Sequence, residues 1–160
     1  MIEHRPVTPI SGMLMISIAL LLYVIPIPLF GQLRIDFVAL LILYLGIYRD
    51  MPYPLLVAFG AGVLQDLVSL APLGQHALGL LLVSWILQSF RDRMKLGSVP
   101  GQIPAVLMLI LLLKFQYSWI AALNLGIMPS LDALGSSLLT ALVWVPFALF
   151  VRLVESRRFA

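Results

Sequence analysis

The chain has 160 residues, 62% of them hydrophobic and 11% charged, with a mean hydropathy of +1.08 and a formal net charge of +3. That balance excludes an ordinary soluble domain, and apolar runs fill the chain so completely that no separate soluble unit fits beside them; residues 1–160 are expected to form one integral membrane domain. Cysteine is absent, which excludes a disulfide framework, a thiol nucleophile and a thiolate metal site.

The first apolar run, 10–30, follows His4 and Arg5 and is long enough to span, longer than a usual signal-peptide core, with no small-x-small cleavage site behind it. Pro26 and Pro28 predict a bend near its far end. The second run, 32–48, is the short one, because its apolar part begins only at Phe37; Tyr44 and Tyr48 are expected to anchor its inner end. The third, 54–70, opens on Pro54, a favourable first helical position, and Ala71-Pro72-Leu73-Gly74 then gives a tight uncharged turn. A helical hairpin follows from this, with the fourth run at 75–90 ending in a basic loop that carries Arg91, Arg93 and Lys95. The fifth run, 104–125, holds Lys114 inside it, and the sixth, 134–154, carries Pro146 as an expected kink.

Lys and Arg concentrate in the cytoplasmic loops of membrane proteins. With both termini inside, six spans place Arg5, Arg49, Arg91, Arg93, Lys95, Arg152, Arg157 and Arg158 in the cytoplasm against Arg34 alone outside. If the short second run did not cross, Arg91, Arg93 and Lys95 would move outside. The expected fold is therefore an all-α bundle of about six transmembrane helices. The basic residues sit at the ends of apolar runs rather than in a patch with interleaved aromatics, so they read as topology signals and not as a nucleic-acid surface. Anionic membrane lipid or a cytoplasmic partner is a further use for them.

An acid at hydrocarbon depth costs about 2.5–3.5 kcal/mol on insertion scales, which makes Asp66 the residue to explain. Ala58, Gly62, Asp66 and Ser69 recur at spacings of four, four and three and share one helix face, a small and polar stripe that lets another helix approach closely. At 1.5 Å per residue, Asp66 lies about 18 Å along the third helix and Lys114 about 15 Å along the fifth, so the two reach similar depths. Gln75 and His76 start the fourth helix one tight turn from Asp66, and Ser136, Ser137 and Thr140 occupy the same outer half of the sixth. Two readings stand: a structural ion pair or separate snorkelling side chains, and a polar cluster that receives a ligand or a partner's transmembrane helix. His76 at a helix start reads as an ordinary interfacial residue before a proton carrier or metal ligand, since no companion ligand is near it. No HExxH, P-loop, GxSxG, CxxC or dinucleotide glycine pattern occurs, so no catalytic residue, metal or cofactor is assigned.

Two stretches carry a family resemblance. Arg34-Ile35-Asp36-Phe37 running to Tyr48-Arg49 is similar to the Arg-Pro-Asp opening, aliphatic run and Tyr-Arg ending of the rod shape-determining MreD family, with Ile35 and Asp50 standing where that family often has Pro. Gly62-Val63-Leu64-Gln65-Asp66-Leu67-Val68-Ser69, followed by Pro72-Leu73-Gly74-Gln75-His76-Ala77-Leu78, resembles its helix ending in Asp, turn, Leu-Gly and Ala-Leu pair. The resemblance implies a multi-pass protein of the bacterial inner membrane in the cell-elongation machinery. It would be a scaffold and not an enzyme, acting with MreC, MreB, RodZ, RodA and an elongation transpeptidase. The stripe Ala58, Gly62, Asp66 and Ser69, with Gln75, is then the expected groove for the membrane helix of MreC. The family also resembles the six-helix substrate-binding components of energy-coupling-factor vitamin transporters, which gives the alternative of a small-ligand pocket in the outer polar cluster.

Overall fold

The computed structural model describes residues 9–24, 35–126 and 132–157, all of whose regular structure is helical. The helices are α1 (Pro9–Val24), α2 (Phe37–Tyr48), α3 (Pro54–Ser69), α4 (Gln75–Leu96), a 3-10 turn at Pro100–Gln102, α5 (Ile103–Leu125) and α6 (Asp132–Arg157). Pro26, Pro28, Arg5, Arg34 and Arg158, on which part of the bend and topology argument rests, lie outside the described residues.

The bundle is built around its shortest member. Every residue of α2 is apolar or aromatic except for Gly46, and a helix with no polar face has to be enclosed on all sides. Here α1, α3, α4 and α6 all pack on it, and Val38 to Leu45 together with Ile47 are at most 3% exposed. Tyr44, expected as an interface anchor, is instead part of this core, with its ring 5.0 Å from that of Tyr48 and 6.4 Å from that of Phe147. Twelve residues rise only about 18 Å, short of the ~30 Å of a hydrocarbon core. The helices long and apolar enough to cross a membrane, among the described residues, are the stretches Pro100–Asn124 and Leu134–Val154. Large apolar side chains on α1, α5 and α6, such as Met13, Met108, Trp119 and Phe150, face outward.

α3 and α4 form the expected hairpin. Pro54 sits in the first turn of α3, where its missing N–H costs nothing. At the other end, Leu70 takes a left-handed φ of 54° and Gly74 one of 96°, so the chain reverses within five residues; for Leu70 that conformation is strained, and its side chain lies in the open. α4 continues past the expected end at residue 90. Phe90 leaves helical geometry (φ −131°, ψ 15°), and the helix resumes on a new course to Leu96, so Arg91, Arg93 and Lys95 lie on a redirected helical tail rather than in a loop. α6 continues as helix through Pro146, although that residue has no N–H to donate to the carbonyl of Leu142.

The small-residue stripe of α3 is filled from within the chain. Ala58 and Gly62 are buried, and a Cβ placed on Gly62 would stand 2.3 Å from Ala77 Cα and 2.6 Å from Ala77 N, both backbone atoms of α4. The close approach that the spacing predicted is made by α4, which leaves no groove there for a second helix. Gly60, two residues away, has nothing within 4 Å of its added Cβ. Gly62→Ala is therefore expected to lower stability by about 1–3 kcal/mol through overpacking, whereas Gly60→Ala gains roughly 0.5–1 kcal/mol from helix propensity. Thermal unfolding of both variants in one detergent checks the opposite signs.

Candidate functional site

The site is assembled at the end of the bundle where α2 and α4 begin and α3 finishes. Each helix start exposes backbone N–H groups with no intrahelical partner, and a carboxylate is the strongest acceptor for them. Asp36 caps α2: its Oδ1 accepts the N–H of Ala39 at 3.0 Å. Asp66 does the same for a helix it does not belong to. Its Oδ2 accepts Gly74 N–H at 2.8 Å and Ala77 N–H at 3.4 Å, and its Oδ1 accepts His76 N–H at 2.7 Å, so the last turn of α3 caps α4 across the hairpin.

Each acid also takes one basic side chain. His76 Nδ1 lies 2.8 Å from Asp66 Oδ1. An ionised carboxylate only accepts, so this geometry places the imidazole proton on Nδ1. Lys114 of α5 donates to Asp36 Oδ2 at 3.3 Å, and Gln65 Nε2 of α3 to Asp36 Oδ1 at 3.3 Å. The pairing weighed from helix depths, Asp66 with Lys114, is thus not the one formed: depth gives the level of a residue along its helix but not its azimuth, and α5 presents Lys114 to the start of α2. α6 closes the set, with Thr140 Oγ1 accepting Asp36 N–H at 3.4 Å and donating to Ser136 O at 2.7 Å.

Tyr117 joins the two acid centres. Its ring lies 4.4 Å from the His76 ring, and Lys114 Nζ is 5.5 Å from its centroid; Tyr23 of α1 meets the His76 ring edge-on at 6.1 Å. Asp36, Gln65 and Asp66 are fully buried, and His76 and Tyr117 nearly so. Among the described residues, Gln65 Oε1 and the Tyr117 hydroxyl have no hydrogen-bond partner. Of the other residues singled out from sequence, Ser69 turns its hydroxyl back onto Gln65 O at 2.7 Å and caps its own helix end, while Gln75 stands at the first position of α4 with its N–H on Pro72 O. Ser69 thus meets the cluster only through the backbone carbonyls of Gln65 and Asp66, not through their side chains.

The opposite end of the bundle holds a second network. Gln102 of the 3-10 turn, 3% exposed, accepts from Tyr48 Oη at 2.7 Å and Trp144 Nε1 at 3.1 Å through Oε1, and donates through Nε2 to Met94 O at 2.8 Å. One amide ties α2, α6 and the redirected tail of α4. Nearby, Arg91 donates to Arg49 O at 2.6 Å and pairs with Asp50, which Lys95 approaches at 3.7 Å; Arg93 is exposed. Gln102→Leu orphans the buried Trp144 donor, the part-buried Tyr48 hydroxyl and a carbonyl and is expected to cost about 2 kcal/mol or more, at roughly 1–3 kcal/mol per buried orphan before relaxation. A lowered unfolding temperature with unchanged helix content by circular dichroism is the expected result.

Sequence reading placed Thr140 in the outer polar half but passed over Asp36, Gln65, Tyr117 and Gln102 as site residues. Asp36 had a usable signal, an Asp directly before an apolar run, which marks a helix N-cap. The others had none, because a Gln or Tyr in an apolar helix declares its partner only once the helices are packed.

The acid end thus gathers polar side chains of α3, α4, α5 and α6 around the start of α2, and it holds Asp36 from the first stretch that carried the family resemblance and Asp66 to Ala77 from the second. A family model described as rod shape-determining protein MreD matches residues 5–154 of the 160-residue chain. No curated protein and no solved structure matches it. With that match spanning nearly the whole helical bundle and both polar stretches, the chain belongs to the rod shape-determining MreD family of membrane proteins.

Proposed function

We propose that this protein is a non-enzymatic scaffold of the rod elongation complex, holding MreC in the bacterial inner membrane and supporting lateral peptidoglycan synthesis together with MreB, RodZ, RodA and an elongation transpeptidase. The observation that carries the reading is the family match over residues 5–154. The geometry agrees with it: both buried carboxylates are committed to capping helices of their own chain, which is the work of architecture rather than of turnover. In the same reading the whole chain is one membrane domain with six spans and both termini in the cytoplasm. The end holding Arg49, Arg91, Lys95 and Arg152 faces the cytoplasm, and the Asp36–Asp66 end faces outward. Since α4 occupies the Ala58–Gly62–Asp66 stripe, the helix of MreC docks on an outward apolar face, and the stripe acts indirectly by fixing the hairpin behind that face.

The second reading is a substrate-binding component of an energy-coupling-factor type transporter, favoured by the partnerless Gln65 Oε1 and Tyr117 hydroxyl, two groups a polar small molecule would engage. A mild-detergent pull-down of the tagged protein from its native membrane, with mass spectrometry of bound proteins and small molecules, separates the two. Recovery of MreC with elongation proteins is the expected result. Recovery of transporter ATPases with a tightly held vitamin would replace the scaffold by the transporter.

A further inference from the structure

The acid end carries hydrogen-bonding capacity that the fold does not use. With the imidazole proton on Nδ1 and donated to Asp66, His76 Nε2 is left as a lone-pair acceptor, and it has no partner among the described residues. Lys114 gives one N–H to Asp36 Oδ2 and has no acceptor among those residues for the other two. The Tyr117 ring neighbours both, 4.4 Å from the His76 ring and 5.5 Å from Lys114 Nζ, and its hydroxyl is partnerless. Gln65 Oε1 is partnerless too, on an amide that shares Asp36 with Lys114. α5 adds one more: neither atom of the Gln116 amide has a partner, and a Cβ placed on Gly79 of α4 would run into both Gln116 Oε1 and Tyr117 Cε1, so this amide lies beside the same ring. Protein interiors rarely leave one such group unpaired, and here three side chains of one cluster do so. The His76 and Lys114 side chains keep 6% and 15% of their surface open, which gives the cluster its way out of the bundle.

The unused groups state what would match them. His76 Nε2, Gln65 Oε1 and Gln116 Oε1 call for donors, the Lys114 N–H groups and Gln116 Nε2 call for acceptors, and the Tyr117 hydroxyl serves as either. We infer that the cluster of His76, Lys114, Gln65, Gln116 and Tyr117 is a binding site for a neutral, hydroxyl-bearing small molecule, a polyol or sugar. A hydroxyl donates and accepts from one atom, and its proton rotates to suit the neighbour. An ammonium ligand only donates, which leaves Lys114 and Gln116 Nε2 unanswered. A carboxylate or phosphate only accepts, and it meets the two buried acids Asp36 and Asp66. The donor set does not suit a metal ion, because no three His, Cys, Asp or Glu side chains converge among the described residues and an ammonium already stands on Asp36. This inference depends on the donors and acceptors of the acid end alone. It holds for a scaffold as for a transport component, so a pull-down without MreC leaves it standing.

The test uses the full-length protein in nanodiscs and follows carbethoxylation of His76 by diethyl pyrocarbonate, mapped by peptide mass spectrometry, with His4, the other histidine, as the internal reference. Myo-inositol is the neutral hydroxyl probe, and methylammonium, inorganic phosphate and acetamide are used at the same concentration. His76 is expected to react in the free protein, and myo-inositol to slow that reaction several-fold relative to His4 while the other three leave it unchanged. Tyr117→Phe keeps the ring beside His76 and deletes only the orphaned hydroxyl. It should unfold at a temperature no lower than the parent's and lose most of the protection, a readout that a purely structural hydroxyl would not move. Gln116→Met removes both partnerless amide atoms at similar bulk, should behave in the same way, and decides the matter if Tyr117→Phe fails to fold. An inert His76 in the free protein, or no protection by any probe, would overturn the assignment and leave the cluster to water. Equal protection by methylammonium, phosphate or acetamide would overturn the ligand class, and full protection in the folded variants would overturn the site.

Discussion

Asp66→Ala is expected to destabilise the protein by about 3–5 kcal/mol, because one carboxylate serves several buried donors. The substitution strips acceptors from the backbone N–H groups of Gly74, His76 and Ala77 and from the imidazole at once. Each orphaned donor costs roughly 1–3 kcal/mol when it stays dry, and some of them recover water or a neighbour as the hairpin loosens, which keeps the total below the sum. Asp66→Asn should fall between the two proteins, because one oxygen still accepts while the new NH₂ meets N–H groups that have nothing to accept with. Thermal unfolding in a fixed detergent, followed by native tryptophan fluorescence, gives the ranking. A double-mutant cycle then tests the geometry itself. Asp66→Ala combined with His76→Ala should deviate from additivity by about 1–3 kcal/mol, and by more than Asp66→Ala combined with Lys114→Ala. A larger coupling to Lys114 would mean that the acids have exchanged their basic partners.

The helices could be read from the chain because a membrane segment is written in one dimension, as a run of apolar residues between breakers. The starts of α3 and α4 at Pro54 and Gln75 and the turn between them follow from Pro54 and from the Ala71–Gly74 loop. What failed is instructive in each case. Tyr44 reads as an interfacial aromatic on position alone, but α2 is apolar all round, and such a helix is taken into the core with its tyrosine. The stripe of Ala58 and Gly62 truly marks a close approach, yet the spacing carries no information on whose helix approaches, and the sequence-adjacent α4 reaches it first. The same limit hid the pairing of Lys114. Helical rise converts sequence into depth, while azimuth depends on how the helices pack around α2. Arg91 to Lys95 read as a loop because charge and nearby Gly97 argue for an end; the helix instead passes Phe90 with a kink, where Arg91 reaches Arg49 O and Asp50.

Asp36 and Lys114 set the sharpest test of what the polar end is for. Asp36→Ala leaves the Lys114 ammonium without its recorded carboxylate in a largely apolar bundle and is expected to cost about 3–5 kcal/mol. Lys114→Met should cost less, since the carboxylate keeps the Ala39 N–H and the Gln65 amide as donors. The double substitution Asp36→Asn with Lys114→Met removes both charges, keeps a side-chain oxygen to cap α2 and preserves most of the lysine's bulk. Replacing a buried ion pair by groups of similar volume is often neutral or stabilising. The double variant is therefore expected to unfold at a higher temperature than Asp36→Ala, and close to the parent protein. Because it is folded, its behaviour in cells separates architecture from chemistry. If it restores rod shape to cells lacking the parent protein, the charges serve only to join α2 to α5, and scaffolding needs nothing more from them. If it is abundant in the membrane and the cells stay round, the Asp36–Lys114 charges act on something beyond the fold, and the partnerless Gln65 Oε1 and Tyr117 hydroxyl beside them are the first groups to vary next.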